Sequence, residues 1–202
     1  MQARPISLRN RSRMKRIHAL FGTWRLAPMG VRLQLGASTI ELHEQLGKTL
    51  RLSWQQSIHC IHCGRATRKS FNQGYCYPCF RSLAQCDVCI VSPEKCHFHL
   101  GTCREPDWAQ QHCMQDHHVY LANTSGIKVG ITRASQVPTR WIDQGAVAAI
   151  PLAELPSRRE VGLIEHRLAG IMAERTHWMR MLKSAQPEGD LAGAAKTCLS
   201  QT

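Results

Sequence analysis

His118-Val119-Tyr120-Leu121-Ala122-Asn123-Thr124-Ser125-Gly126-Ile127-Lys128-Val129-Gly130-Ile131-Thr132 decides the fold of this chain. His118–Ala122 reads as a strand, since β-branched and aromatic side chains suit a pleated, half-buried surface. Asn123–Gly126 is a cluster of turn formers. Ile127–Thr132 alternates strictly between apolar and other residues, the period of a strand with one buried face. Two such runs on either side of a short turn predict a β-hairpin.

Downstream, a short helix is expected around Thr139–Gln144, ended by Gly145, and Val147–Leu152 is a third strand candidate. Ser157, with Glu160 three residues on, forms a capping box that opens a further helix. Val161, Ile164, Leu168, Ile171 and Met172 give that helix its apolar stripe. The order over residues 118–182 is β-β-α-β-α. Glu165 falls inside or at the border of the stripe, because successive residues turn by about 100°. A carboxylate there must be partnered, bound to metal or lining a cleft, since burying it alone is costly. The plain alternative is a Glu that reaches from the stripe's edge to an Arg. His166 points away from the stripe.

Upstream, Cys60-Ile61-His62-Cys63 is followed after twelve residues by Cys76-Tyr77-Pro78-Cys79. Two paired thiolates at this spacing suit a tetrahedral zinc ribbon. Gly64 and Gly74 flank the knuckles and can supply positive φ where the chain turns around an ion. Cys86-Asp87-Val88-Cys89, then Cys96-His97-Phe98-His99 and Cys103, suggest a second site with Cys86, Cys89, Cys96 and Cys103 as ligands. His97 and His99 are alternatives within it, and Cys113, His112, His117 and His118 are further alternates. For His117 and His118 the preferred reading is an ordinary surface histidine.

The remaining chain frames these motifs. Residues 1–16 read as a basic arm carrying Arg4, Arg9, Arg11, Arg13, Lys15 and Arg16. Such an arm either contacts phosphates or is simply solvated. Residues 17–58 are expected to form a small antiparallel β region. In it Val31, Leu33 and Leu35 share one parity, Ile40 and Leu42 share another, and Leu46–Leu52 forms a turn and a further strand. Residues 59–117 are the Cys/His zinc-binding region, 118–182 the α/β unit and 183–202 a flexible tail. The fold class is α+β.

A length of 202 residues accommodates one or two small domains. No apolar run is long enough to span a bilayer, and no apolar segment follows the basic N-terminus as a secretory signal would require. A cytoplasmic location without membrane association is therefore expected. Nine of the ten Cys lie between Cys60 and Cys113. In a reducing compartment such a cluster points to metal rather than disulfides. The formal charge of +12 favours polyanionic partners, nucleic acid first. Trp141, Tyr75 and Tyr77 are placed to stack on bases or, more plainly, to pack in the core and under the knuckles.

Val119-Tyr120, Lys128-Val129-Gly130-Ile131-Thr132, Arg140 and Glu165 together resemble the GIY-YIG nuclease superfamily over residues 118–173. Arg133 is the alternate to Arg140. A longer set of motifs resembles the DUF2797 family from about residue 30 onward. That set comprises Cys60–Cys79 with Lys69-Ser70-Phe71 and Gln73-Gly74-Tyr75, then Pro93-Glu94-Lys95-Cys96-His97, Gly101-Thr102-Cys103-Arg104, Lys128–Arg133 and Arg140-Trp141-Ile142-Asp143-Gln144-Gly145. Members of that family are expected to extend further at the C-terminus. The tail Ser184–Thr202 does not resemble their closing segment.

The superfamily resemblance implies metal-dependent phosphodiester hydrolysis, with Tyr120, Lys128, Arg140 and Glu165 as the catalytic set. Glu165 would hold Mg²⁺ or Mn²⁺, Arg140 would neutralise phosphoryl charge, and Tyr120 would orient or deprotonate water with Lys128 assisting. Two departures stand out. Lys128 occupies the place of the second Tyr, and no Asn follows Asn123. His166 and His177 are the available substitutes. The cofactors expected are one or two structural zinc ions and a divalent ion at Glu165. The competing readings are a non-catalytic zinc module that binds nucleic acid or protein, and a redox or zinc sensor.

Overall fold

A computed structural model describes residues 24–25, 32–35, 37–51, 53, 56–172, 177, 179 and 189–201. The basic arm at 1–16, Val31, Leu52 and the start of the tail lie outside these residues. In chain order the elements are β1 (Trp24–Arg25), β2 (Arg32–Leu35), β3 (Ser38–Glu41), α1 (Tyr77–Ser82), α2 (Pro106–His112), β4 (His117–Asn123), β5 (Ile127–Arg133), α3 (Thr139–Asp143), β6 (Ala148–Leu155), α4 (Arg158–Leu168) and α5 (Leu191–Gln201). The architecture is mixed α/β with small antiparallel sheets. Two compact units emerge: Ala27–Asp87, and Met1–Leu26 with Val88–Thr202. The division falls inside the 59–117 stretch that holds most of the cysteines.

In the Ala27–Asp87 unit, β2 and β3 form a hairpin with Leu33 opposite Ile40. The strand expected over Leu46–Leu52 is not formed by the described residues. Leu42–Gln45 is instead a 3-10 turn, and Leu46 and Leu50 are 82% and 53% exposed. Alternation alone makes no strand when neither face has a partner to pack against. A small buried cluster of Cys60, Cys76, Cys79, Leu83 and Cys86 forms this unit's interior, with Tyr75 and Phe80 against it.

The second unit is built on a four-stranded antiparallel sheet in the order β1-β6-β4-β5. β4 is a central strand, paired over its whole length with β5 on one side and β6 on the other. Val119 and Leu121 join Val129, Ile150 and Leu152 in a core completed by Val161 and Leu168 of α4 and by Leu191, Ala195 and Cys198 of α5. Tyr120 and Ala122, of opposite parity, pack with Trp141, Ala146 and Ala149. The β4–β6 register shifts between Val119 and Tyr120, where Val119 faces Ala153 and Tyr120 faces Pro151. A proline, lacking an N–H for the ladder, is tolerated at such an irregularity.

The capping box is formed. The Glu160 backbone N–H donates to Ser157 Oγ at 3.3 Å, and that hydroxyl donates to the Glu160 carboxylate at 3.2 Å. α4 ends at Leu168, so Ile171 and Met172 lie beyond it. Ile171 is exposed, whereas Met172 still packs on the core. α4 also lies against the turn Pro93–Lys95, where a Cβ on Gly162 would strike Pro93. That close approach fixes the N-terminal half of α4.

The expectation of a surface His117 is corrected by the structure. Its side chain is fully buried, with Nδ1 donating to Gln115 O at 2.7 Å. Burial, against a smaller contrary pull from Gln115, lowers its pKa from 6.5 to about 4. The folded protein therefore holds His117 neutral while the unfolded chain takes up a proton below pH 6.5. Stability is full above that value and falls as pH drops from 6.5 towards 4. Urea unfolding between pH 7 and 4 should show a loss approaching about 1.4 kcal/mol per pH unit from this group. His117→Asn, which retains an N–H donor, should flatten that dependence.

Candidate functional site

Cys60, Cys63, Cys76 and Cys79 converge so that all four sulfurs lie within 4.8 Å of one another. Cys63 Sγ and Cys76 Sγ are 3.7 Å apart. Zn–S bonds of about 2.3 Å in a tetrahedron place sulfurs about 3.8 Å apart, so the set fits zinc. Gly64 and Gly74, with φ of 70° and 146°, make the turns beside the two knuckles. The Cys60 N–H donates to Arg65 O and the Gly64 N–H to Cys60 O, which closes the first knuckle. α1 opens at Tyr77-Pro78, whose proline is pre-set for a helical start, and carries Cys79. Burial raises Cys60, but backbone groups of Cys63, Cys76 and His62 hold its pKa down to about 6. Burial and hydrogen bonds with the other three thiols push Cys79 up to about 12. Without a cation the cluster cannot carry four charges at once, and a divalent ion removes that conflict.

The other cysteines distribute differently. Cys86 packs among Cys60, Cys76, Cys79 and Leu83. Cys89 Sγ and a His97 ring nitrogen lie within 4.8 Å of each other. His97 Nδ1 is 2.8 Å from Thr102 Oγ1, which orients the ring. Cys113 is raised by burial and further by Cys96 and Cys103, while Arg158 and Arg133 oppose the shift. Among the described residues, His99, His112 and His118 enter no such group. His112 stacks on Trp108 at 4.2 Å, and His118 Nε2 lies 3.7 Å from Glu154.

A cleft of about 460 Å³ opens along β5. Its walls include Tyr120 of β4, Lys128, Gly130, Thr132 and Arg133 of β5, Arg140 and Gln144 from the α3 region, and Arg158 and Glu165 of α4. Ile90, Val91 and Pro93 close one side. Tyr120 and Gly130 are direct cross-strand partners, and a Cβ at Gly130 would lie 2.8 Å from the Tyr120 ring. Glycine there makes room for the hydroxyl end of the Tyr120 ring, and Tyr120 lines the cleft.

Residues 47–202, more than three quarters of the chain, match the family described as "Protein of unknown function (DUF2797)". The chain belongs to the DUF2797 family. No curated protein and no solved structure matches it.

In this DUF2797 chain, Tyr120, Lys128, Arg140 and Glu165 come from four elements and line one cleft. The Tyr120 hydroxyl donates to Gln144 Oε1 at 2.9 Å. Burial drives its pKa up to about 12, against opposing effects of Arg140 and Gln144 and with a further rise from Glu165. The cation that acts on this hydroxyl is Arg140. Lys128 is buried, and desolvation with help from Arg140 lowers its pKa while Glu165 opposes the shift. Trp141 is buried and tilts against Tyr120 at 5.8 Å, a packing role. Tyr75 packs under the knuckles, whereas Tyr77 is exposed. His166 is exposed, away from the stripe. The His177 backbone N–H donates to Ser125 Oγ at 2.8 Å.

Sequence reasoning missed Gln144 and Arg158. Gln144 follows the short helix whose Arg was singled out, one turn beyond Arg140. Arg158 precedes Glu165 by seven residues, close to two helical turns, so the two share a face. That spacing was the available signal.

Among the described residues, no helix is long and apolar enough to cross a membrane.

Removing metal should test the four-cysteine set directly. The purified protein is expected to contain zinc that Cys60→Ser or Cys76→Ser lowers by one ion per chain. Dialysis against a strong chelator should lower the thermal transition of the Ala27–Asp87 unit, and added Zn²⁺ should restore it. Elemental analysis alongside circular dichroism reads both effects.

Proposed function

We propose that the cleft of the Val88–Thr202 unit binds a phosphodiester of nucleic acid and hydrolyses it with one divalent ion at Glu165, in a GIY-YIG-like arrangement. Zinc at Cys60, Cys63, Cys76 and Cys79 has a structural task in this reading. One observation carries the reading: Tyr120, Lys128, Arg140 and Glu165, up to 45 residues apart in sequence, line a single small cleft. A cytoplasmic location fits this reading.

The donor set suits a hard cation in part. Glu165 is the only carboxylate among the cleft's lining residues, and Mg²⁺ typically takes one or two carboxylates and fills its remaining positions with water and phosphate oxygens. Bound there, Mg²⁺ or Mn²⁺ supplies polarisation of the phosphate and stabilisation of the leaving oxygen. Arg140 neutralises charge on the phosphoryl oxygens. Tyr120 is held protonated by its raised pKa, so its hydroxyl orients water rather than taking a proton. Lys128 has its pKa drawn down by burial, with Arg140 adding to the shift and Glu165 opposing it, and it lines the same cleft.

Nucleic acid is the partner that the charge distribution favours. From Gln45 to Cys86 the chain has no Asp or Glu, and Lys48, Arg51, Arg65, Arg68, Lys69 and Arg81 are all exposed. Phe71 packs at 5.3 Å from the exposed Tyr77, and Lys69 Nζ lies 5.3 Å over the Phe71 ring. Cations interleaved with aromatic faces suit a phosphate backbone and unstacked bases. A second reading, a binding module without catalysis, is favoured by Lys128 in place of the second Tyr and by the absence of any Asn after Asn123.

Plasmid nicking with Mg²⁺ or Mn²⁺ separates the two. The wild type should convert supercoiled DNA to nicked circles. Glu165→Ala and Arg140→Ala should each reduce the rate by about a hundredfold or more, the scale of losing one transition-state contact. DNA binding with steep salt dependence and no nicking would leave the binding module.

A further inference from the structure

We propose that Arg158 is an additional ligand-contacting cation, and that the cleft takes two neighbouring phosphate groups rather than one. The proposal rests on the reading of the cleft as a phosphodiester site and extends it to a residue outside the Tyr120–Glu165 set.

Arg158 is held from three directions. Ser157 caps the helix that it opens, its backbone N–H donates to Cys113 O at 2.8 Å, and its Nη2 donates to Ile90 O at 2.8 Å. Its Nε is buried and has no hydrogen-bond partner among the described residues. A buried, charged donor left unsatisfied is costly. The guanidinium also lines the cleft, and as a planar, permanently charged group it suits phosphate oxygens. The tether at Ile90 pre-orders the side chain, so little conformational freedom is lost when an anion arrives.

Charge matching gives the second step. The cleft's lining includes Lys128, Arg133, Arg140 and Arg158 against Glu165 alone, an excess of three positive charges. One phosphodiester brings one negative charge and leaves most of that excess unmatched, even before any divalent ion enters. Two adjacent phosphates match it better. Arg140 and Glu165 would engage the phosphate that reacts. Arg158, at the far end of the α4 face that Glu165 shares, would engage its neighbour.

The test is binding in EDTA, where nothing is cut. Anisotropy of a fluorescein-labelled 12-nucleotide single strand is measured from low to moderate NaCl for wild type, Arg158→Gln and Arg158→Lys. Arg158→Gln should weaken binding about tenfold and flatten the salt slope by about one. Arg158→Lys should keep the slope but bind more weakly, because it loses the planar guanidinium. In competition, inorganic pyrophosphate and ADP should displace the strand from wild type at lower concentration than orthophosphate. Both variants should lose that preference. Displacement by ADP as strongly as by an unlabelled strand would identify a free diphosphate as the source of the two phosphates; weaker displacement would identify a strand.

An unchanged slope and an unchanged preference in Arg158→Gln would overturn the proposal. Should that variant fail to fold, Arg158→Lys with wild-type pyrophosphate preference would do the same. A protein that binds as described and never nicks plasmid retains this site and loses the hydrolytic reading, so the two failures are distinct.

Discussion

The pairing of β4 with both its neighbours is the constraint on which the rest of the Val88–Thr202 unit depends. A strand hydrogen-bonded on both edges has one freedom left, the parity of its side chains. In β4 that parity sends Val119 and Leu121 to the core with α4 and α5, and Tyr120 and Ala122 to Trp141 and Ala149. A slip of one residue would exchange these sets. The slip would bury the Tyr120 hydroxyl in the aliphatic core and remove the ring from its close approach to Gly130. Packing and site geometry are therefore set by the same register, and neither can be altered alone.

Electrostatics then decides what the cleft can do. Lys128 and Arg158 are drawn out of water by the fold, and burial opposes the charge of each. Glu165 offsets part of that cost for both. One carboxylate cannot balance four cations, so the cleft carries an unfavourable self-repulsion. The stability lost by gathering these charges is regained through the aliphatic core on the opposite parity of β4, which contains no charged residue. Sites of this kind commonly break the rules that the rest of a fold obeys.

What was legible in the sequence had its chemistry written into short spacing. The knuckles at Cys60–Cys63 and Cys76–Cys79, the hairpin at 118–132 and the Ser157–Glu160 box each need only a few consecutive residues to be recognised. Leu46–Leu52 misled because Leu46 and Leu50 are exposed and, among the described residues, no strand forms there, which no local pattern records. His117 was read as exposed because a histidine at the start of a strand carries no mark of depth. Its depth is set by what packs on that face of the sheet, which the local sequence does not record. Arg158 and Gln144 carried only the weak signal of helical spacing to Glu165 and Arg140, since membership of a cleft depends on how separate elements come together. The apolar stripe of α4 was traced too far, because the sequence after Leu168 continues the period although the helix has stopped.

The two units solve the problem of stability by different means, and this bears on where chemistry can reside. Among the described residues, the Ala27–Asp87 unit buries a cluster of four cysteines and one leucine, a small apolar interior. A structural ion at Cys60, Cys63, Cys76 and Cys79 would supply what that cluster lacks. Four thiolates spent on that task leave no open coordination position, and a closed site of this type holds structure rather than turning over substrate. The Val88–Thr202 unit has ten buried residues in its main core and needs no such help around its sheet. It can tolerate a cationic cleft, a glycine under a tyrosine and a buried neutral histidine. Any reaction is to be sought where stability is in surplus, at Tyr120, Lys128, Arg140, Arg158 and Glu165. At the cysteine set, loss of one ligand would cost the unit its stability before it altered any chemistry elsewhere.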